Sequence, residues 1–194
     1  MLKVEYNRDG LVEEVHEGVW AIYKPVAGIS SGSSGDKPYY LRSCAKPLQA
    51  TLLLDYGIDL TLEELALCCG SHAGEDYHVK VALKLLKKIK LTDAYLKCGI
   101  HAPLSRDMQN RMIVRGDAPT VLNNNCSGKH IGCLAICKSQ GWDLQTYEEP
   151  THPLQVAVKK RINEMCGVTQ DYPMTTDGCG VPILSMPLKN MLNG

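Results

Sequence analysis

Tyr39-Tyr40-Leu41-Arg42-Ser43-Cys44-Ala45-Lys46-Pro47-Leu48-Gln49-Ala50 is the stretch on which the fold turns. Its first three residues suit a short strand, and Pro47 fits the opening turn of a helix that Leu48, Leu52 and Leu53 continue and Gly57 ends. Ahead of it the pattern reads as β, over Leu2 to Tyr6 and Gly18 to Tyr23. Between these strands and the serine lies the tract Gly28-Ile29-Ser30-Ser31-Gly32-Ser33-Ser34-Gly35, long enough for a flexible turn between two strands. Beyond it the pattern is helical. Thr61-Leu62-Glu63-Glu64 is a capping box that opens a helix to Cys69, stopped by Gly70. A helix from about Asp76 to Ile89 should bury Val79, Ala82, Leu83 and Leu86 and wet Lys80, Lys84, Lys87 and Lys88. Further helices are expected over Arg106 to Val114, Gly128 to Lys138 and Pro153 to Met165, and Pro187-Leu188-Lys189 begins a closing one. Strands first, helices after, and no βαβ alternation predict an α+β fold.

The 194 residues, 44% of them hydrophobic, suffice for one domain with a sizeable core. Lys and Arg number 21, as do Asp and Glu, so no net field draws the chain to nucleic acid or to an anionic membrane. No apolar run reaches a membrane-spanning length and Met1-Leu2-Lys3-Val4-Glu5 lacks the apolar stretch of a secretory signal, which predicts a cytoplasmic chain with neither nucleic-acid nor membrane partners. Nine cysteines, an odd number, without a Cys-x-x-Cys, fit neither a disulfide framework nor a zinc ribbon. Most should pack as small apolar groups, as Cys133 and Cys137 would on one helical face with Leu134.

Ser43 and Lys46 stand three residues apart, a spacing at which a helix or turn aims a hydroxyl and an amine at one volume. A serine is a weak nucleophile until a base takes its proton, and a desolvated lysine is such a base, so the pair points to acyl transfer. Ser-x-x-Lys is short, and most occurrences are solvated helix faces. Four glycine-bearing clusters accompany it: Cys68 to Glu75, Lys97 to Pro103, Asn123 to His130 and Thr176 to Pro182. Taken singly, each also has an ordinary reading as turn, cap or bend.

Together, in this order, they resemble one family. Arg42-Ser43-x-x-Lys46-Pro47-x-Gln49-Ala50, Ser71-His72-x-Gly74-Glu75-x-x-His78, Cys98-Gly99-x-His101-x-Pro103, Asn124-Asn125-Cys126-Ser127-Gly128-Lys129-His130 and Asp177-Gly178-Cys179-Gly180-x-Pro182 look like the successive signatures of the serine-dependent bacterial asparaginases of the rhizobial inducible type, and Glu14-Val15-His16-x-Gly18 is similar too. The resemblance implies that Ser43, Lys46 and Ser71 are catalytic, and that Cys126, Lys129 and Cys179 hold zinc with water in the fourth position. It implies that Arg42, His72, Glu75, Asn125, His130 and Asp177 line the substrate site or orient the ligands. The implied fold is a helical layer on an antiparallel sheet, as in serine β-lactamases and glutaminases. The Ser-Asp-Asn and Lys-Thr-Gly triplets of lactamases are absent, which argues against lactam hydrolysis. The implied reaction is hydrolysis of the side-chain amide of L-asparagine, by a homodimer when the full-length chain is present.

Members of that family are nearly twice as long. The expectation is therefore a single, truncated domain over residues 1–194, its sheet incomplete at the C-terminus, with the lysine that partners the second serine missing. Two other readings follow: an inactive zinc-binding fragment with a structural or partner-binding role, or a serine amidohydrolase acting on glutamine or another small amide.

Overall fold

The computed structural model describes residues 2–24, 28–31 and 36–194. Mixed helix and small antiparallel sheets make up the architecture, compatible with the α+β expectation. β1 (Leu2–Arg8) and β2 (Leu11–Gly18) form a hairpin whose turn is Asp9-Gly10, both at positive φ, the geometry that matches the right-handed twist of the strands. β3 (Ala21–Lys24) pairs with β4 (Gly28–Ser31), so the first half of the Gly/Ser tract is a strand rather than a turn, and residues 32–35 lie outside the described residues. β5 (Pro38–Tyr40) then leads through a 3-10 turn, Arg42–Cys44, into α1 (Ala45–Asp55).

α2 (Leu62–Cys69) starts at the expected box: Thr61 N–H donates to Glu64 Oε2 at 2.8 Å, and Glu64 N–H to Thr61 Oγ1 at 3.3 Å. α3 (Asp76–Lys88) buries Ala82, Leu85 and Leu86. Leu83, expected inside, is exposed, because the face toward α2 and the central helix passes through position 85 instead. α4 (Arg106–Arg115), α5 (Ser127–Gln140) and α6 (Pro153–Met165) follow close to their expected bounds. β6 (Met174–Thr176) and β5 flank the fully buried β7 (Pro182–Pro187), and α7 (Leu188–Met191) follows directly.

α5 is the axis of the core. Every residue from Ser127 to Cys137 is buried, so the helix is enclosed all round rather than along one stripe, and its two large polar side chains, Lys129 and His130, find partners inside. Packed around it are α1, α2, α3 and α6. Ile131 and Leu134 are wholly enclosed, each contributing about 1.5–3 kcal/mol by leaving water. Cys133 and Cys137 pack beside Leu134 as expected, and all nine cysteines are unbridged. α2 lies so close that a Cβ on Gly128 would come within 2.3 Å of the Leu67 carbonyl oxygen. That approach carries the loop after α2, with Ser71, to the start of α1 and α5. Among the described residues no helix is long and apolar enough to cross a membrane.

Candidate active site

Lys46 sits in the first turn of α1 and is 2% exposed. Its Nζ lies 3.1 Å from the Gly70 carbonyl oxygen, 3.2 Å from the Asn125 carbonyl oxygen and 2.8 Å from Ser71 Oγ. Ser71 Oγ is 2.9 Å from Ser43 Oγ. The lysine therefore meets the second serine directly and the first through it. The cause is local: Arg42 adopts φ 49°, a left-handed conformation, and Ser43 lies in the 3-10 turn ahead of the helix. Burial lowers the Lys46 pKa, its largest influence, while the Cys126 sulfur works the other way and Lys129 adds to the lowering.

Ser43 opens onto a polar cavity of about 240 Å³ that Arg42, His101, Asn125, Cys126, Asp177 and Cys179 also line. Arg42 and Asp177 pair across it at 3.2 Å. A free amino acid fits such a volume. Asn125 contributes its carbonyl to Lys46, and its loop is pinned by Asn124, which donates to the carbonyls of Cys98 and Gly99 at 2.8 and 3.1 Å and accepts from Cys126 N–H at 2.8 Å.

Deeper in the wall, Lys129 Nζ donates to Cys179 Sγ at 2.9 Å, and Cys126 lines the same cavity. The neighbouring Cys179 sulfur, then burial, push the Cys126 thiol up. The Cys179 thiol is pushed far below the ordinary range by the Cys126 sulfur, then by His130 and Lys129. Burial alone would discharge Lys129, but the thiolate beside it outweighs burial and keeps it an ammonium. No group of three His, Cys, Asp or Glu side chains among the described residues is arranged to hold a metal ion. Two sulfurs and a lysine amine do converge. Their donor chemistry suits zinc once the shared protons leave, and next to Lys129 along the helix the buried His130 Nε2 has no hydrogen-bond partner among the described residues.

His72 is 6% exposed and spends both nitrogens on the chain: Nδ1 accepts from Gly74 N–H at 3.2 Å, and Nε2 lies 2.8 Å from Ser127 Oγ. No ring nitrogen remains for a substrate. Burial, then His78 and Lys46, depress its pKa to about 4. Glu75 precedes α3, where it pairs with Arg111. Neither of the two lines the 240 Å³ cavity. His101 and Asn124 were not expected at the site, although both stand in quoted blocks. Tyr147, which meets His130 at 2.6 Å, has no motif around it that would have found it.

No curated protein matches the chain. The family model described as L-asparaginase II matches residues 4–193, nearly the whole length, and the chain belongs to that family.

Proposed function

We propose that the chain hydrolyses the side-chain amide of L-asparagine to L-aspartate and ammonia, with Ser43 as nucleophile. The observation that carries this is the run Lys46–Ser71–Ser43, at 2.8 and 2.9 Å, ending on the wall of a cavity sized for an amino acid. With Lys46 uncharged, its lone pair accepts the Ser71 hydroxyl proton while Ser71 Oγ accepts that of Ser43. Ser43 Oγ attacks the amide carbon, the proton returns from Lys46 through Ser71 to the leaving nitrogen, and ammonia departs. Water then enters, gives its proton along the same path, and releases aspartate. Arg42 offers a cation to the substrate carboxylate, and Asp177 a carboxylate to its amino group, each at the cost of loosening their mutual pair.

Cys126, Lys129 and Cys179 are the residues that would hold zinc. When bound, the ion supplies Lewis acidity or a rigid wall beside the cavity. Binding displaces the protons now on Cys126 and Lys129, so zinc affinity should rise with pH. A homodimer, when the full-length chain is present, belongs to the same proposal.

The test is ammonia release from asparagine and from glutamine. Ser43→Ala should abolish turnover, and Ser71→Ala should lower kcat about 10²–10⁴-fold, the range of a lost proton relay. Full activity of Ser43→Ala would sink the nucleophile assignment. Zinc retention without ammonia from either amide would select the non-catalytic reading, and preference for glutamine would change the substrate alone.

A further inference from the structure

The hydrophobic core contains no residue of β1 or β2, and every residue of the two strands except Gly18 is exposed. Their sheet has two strands, so the outer edge of each presents backbone N–H and C=O groups with no strand to pair with among the described residues. A lone two-stranded hairpin is marginally stable at best in water, and a further strand is what stabilises it. The two faces of β1 differ. Leu2, Val4 and Tyr6 share one face, where the Tyr6 ring stands edge-on to His16 at 5.5 Å between centroids. Lys3 and Glu5 share the other and pair with each other at 2.6 Å.

Register decides what such an edge can accept. Two copies of one strand related by a two-fold axis run antiparallel, and because opposed side chains lie on the same face, the axis passes through a residue that meets its own copy. On β1 an axis at Lys3 opposes two amines, one at Glu5 opposes two carboxylates, and one at Tyr6 sets Val4 against Arg8. An axis at Val4 sets Lys3 against Glu5 twice, Leu2 against Tyr6 twice and Val4 against itself. β2 has no equivalent: an axis at Glu13 or Glu14 opposes that glutamate to its copy, one at Val15 sets Glu13 against Glu17, and one at His16 opposes two imidazoles. We propose that the outer edge of β1 is where a second copy of this chain docks, with Val4 on the two-fold axis, so that two hairpins join into one antiparallel sheet in the order β2, β1, β1, β2. Residues 2–6 of each strand then pair, adding about four to six backbone hydrogen bonds. Opposite charges meet on one face of the join and apolar side chains on the other, the cross-strand pairs that favour a sheet. The inference rests on the homodimer of the proposed function and gives it a surface and a register.

The experiment is a light-scattering measurement of mass against concentration on the whole chain. The wild type should be a dimer. Lys3→Glu and Glu5→Lys should each raise the dimer Kd about tenfold or more, because each turns two attractive cross-strand pairs into repulsive ones. Mixed in equal amounts, the two single variants should bind each other as tightly as wild-type copies do, since in both pairs an acid now meets a base. That mixture is the decisive sample: the Lys3–Glu5 pair within each strand is still lost in it, so only pairing between chains can restore association. A monomeric wild type, a dimer indifferent to both reversals, or a mixture no tighter than its components overturns the proposal. Ammonia release from the same samples separates the two readings. Turnover by a wild type that is monomeric, or whose dimer ignores the reversals, refutes the β1 surface alone; a dimer that obeys them without turnover refutes the reaction alone.

Discussion

Gly128→Ala should damage both stability and activity. Helix propensity favours the change by about 1 kcal/mol, because α5 would exchange a glycine for the best helix former. Space opposes it: the added carbon would stand 2.3 Å from the Leu67 carbonyl oxygen and 2.8 Å from the Leu67 carbonyl carbon. The oxygen contact is about 1 Å inside ordinary van der Waals distance, and the obstacle is backbone, which no rotamer change removes. Overpacking a tight contact costs about 1–3 kcal/mol, and more where a helix has to move, so we expect a net loss of about 2 kcal/mol. For a domain of this size that lowers Tm by about 4–8 °C. Because α2 would be pushed from α5, and the loop after α2 carries Ser71, asparaginase activity should fall further than stability does. Thermal unfolding by circular dichroism and ammonia release measure the two effects. Leu67→Ala should not rescue the variant, since the carbonyl oxygen stays in place. Gly132→Ala is the internal control: its nearest neighbours are the Cys68 sulfur at 3.2 Å and Leu53 Cδ1 at 3.4 Å, side chains that can yield, and its Tm should stay close to the wild type. Equal Tm values for Gly128→Ala and Gly132→Ala, or rescue by Leu67→Ala, would refute the reasoning.

Two pH dependences follow. Burial depresses the Lys46 pKa and only the uncharged amine accepts a proton, so kcat/KM for asparagine should rise with pH to a plateau reached below the ordinary lysine value of 10.5, and Lys46→Met should remove both the rise and the activity; a rate flat in pH would contradict this. His72 titrates at about 4 when folded against 6.5 otherwise, so the unfolded chain takes up the proton first as pH falls. Its contribution is complete above pH 6.5, declines between about 6.5 and 4 by roughly 3 kcal/mol, and then levels off. Urea unfolding of wild type and His72→Gln across that window checks it, and identical pH slopes would refute it.

Helices were the legible part of this sequence. Thr61 and Glu64 marked the start of α2 and satisfy each other's backbone as the pattern requires, because capping is decided within four residues. The strands were harder. β2 escaped although Asp9-Gly10 is the turn its hairpin uses, since Glu13, Glu14 and Glu17 give it little strand character. β7 is a central strand, yet it has Pro182 and Pro187 at its ends, residues that argue locally for a loop and are tolerated only at strand termini. At the site, Ser43 and Lys46 read as a local pair at helical spacing. In the fold Ser43 leaves the helix through the left-handed Arg42, and the amine reaches a residue 25 positions away. Tyr147 was invisible, because a lone tyrosine carries no signal until the chain brings it to His130.

One amine joins α1 to the carbonyl and hydroxyl of residues 70 and 71 and to the carbonyl of residue 125. Loop-closure entropy has to be met over 25 and 79 residues before those bonds exist, so no fragment of the chain can assemble them early. Turnover is therefore a late reporter during refolding: it should return with the slowest phase that restores native packing, after helical ellipticity has recovered.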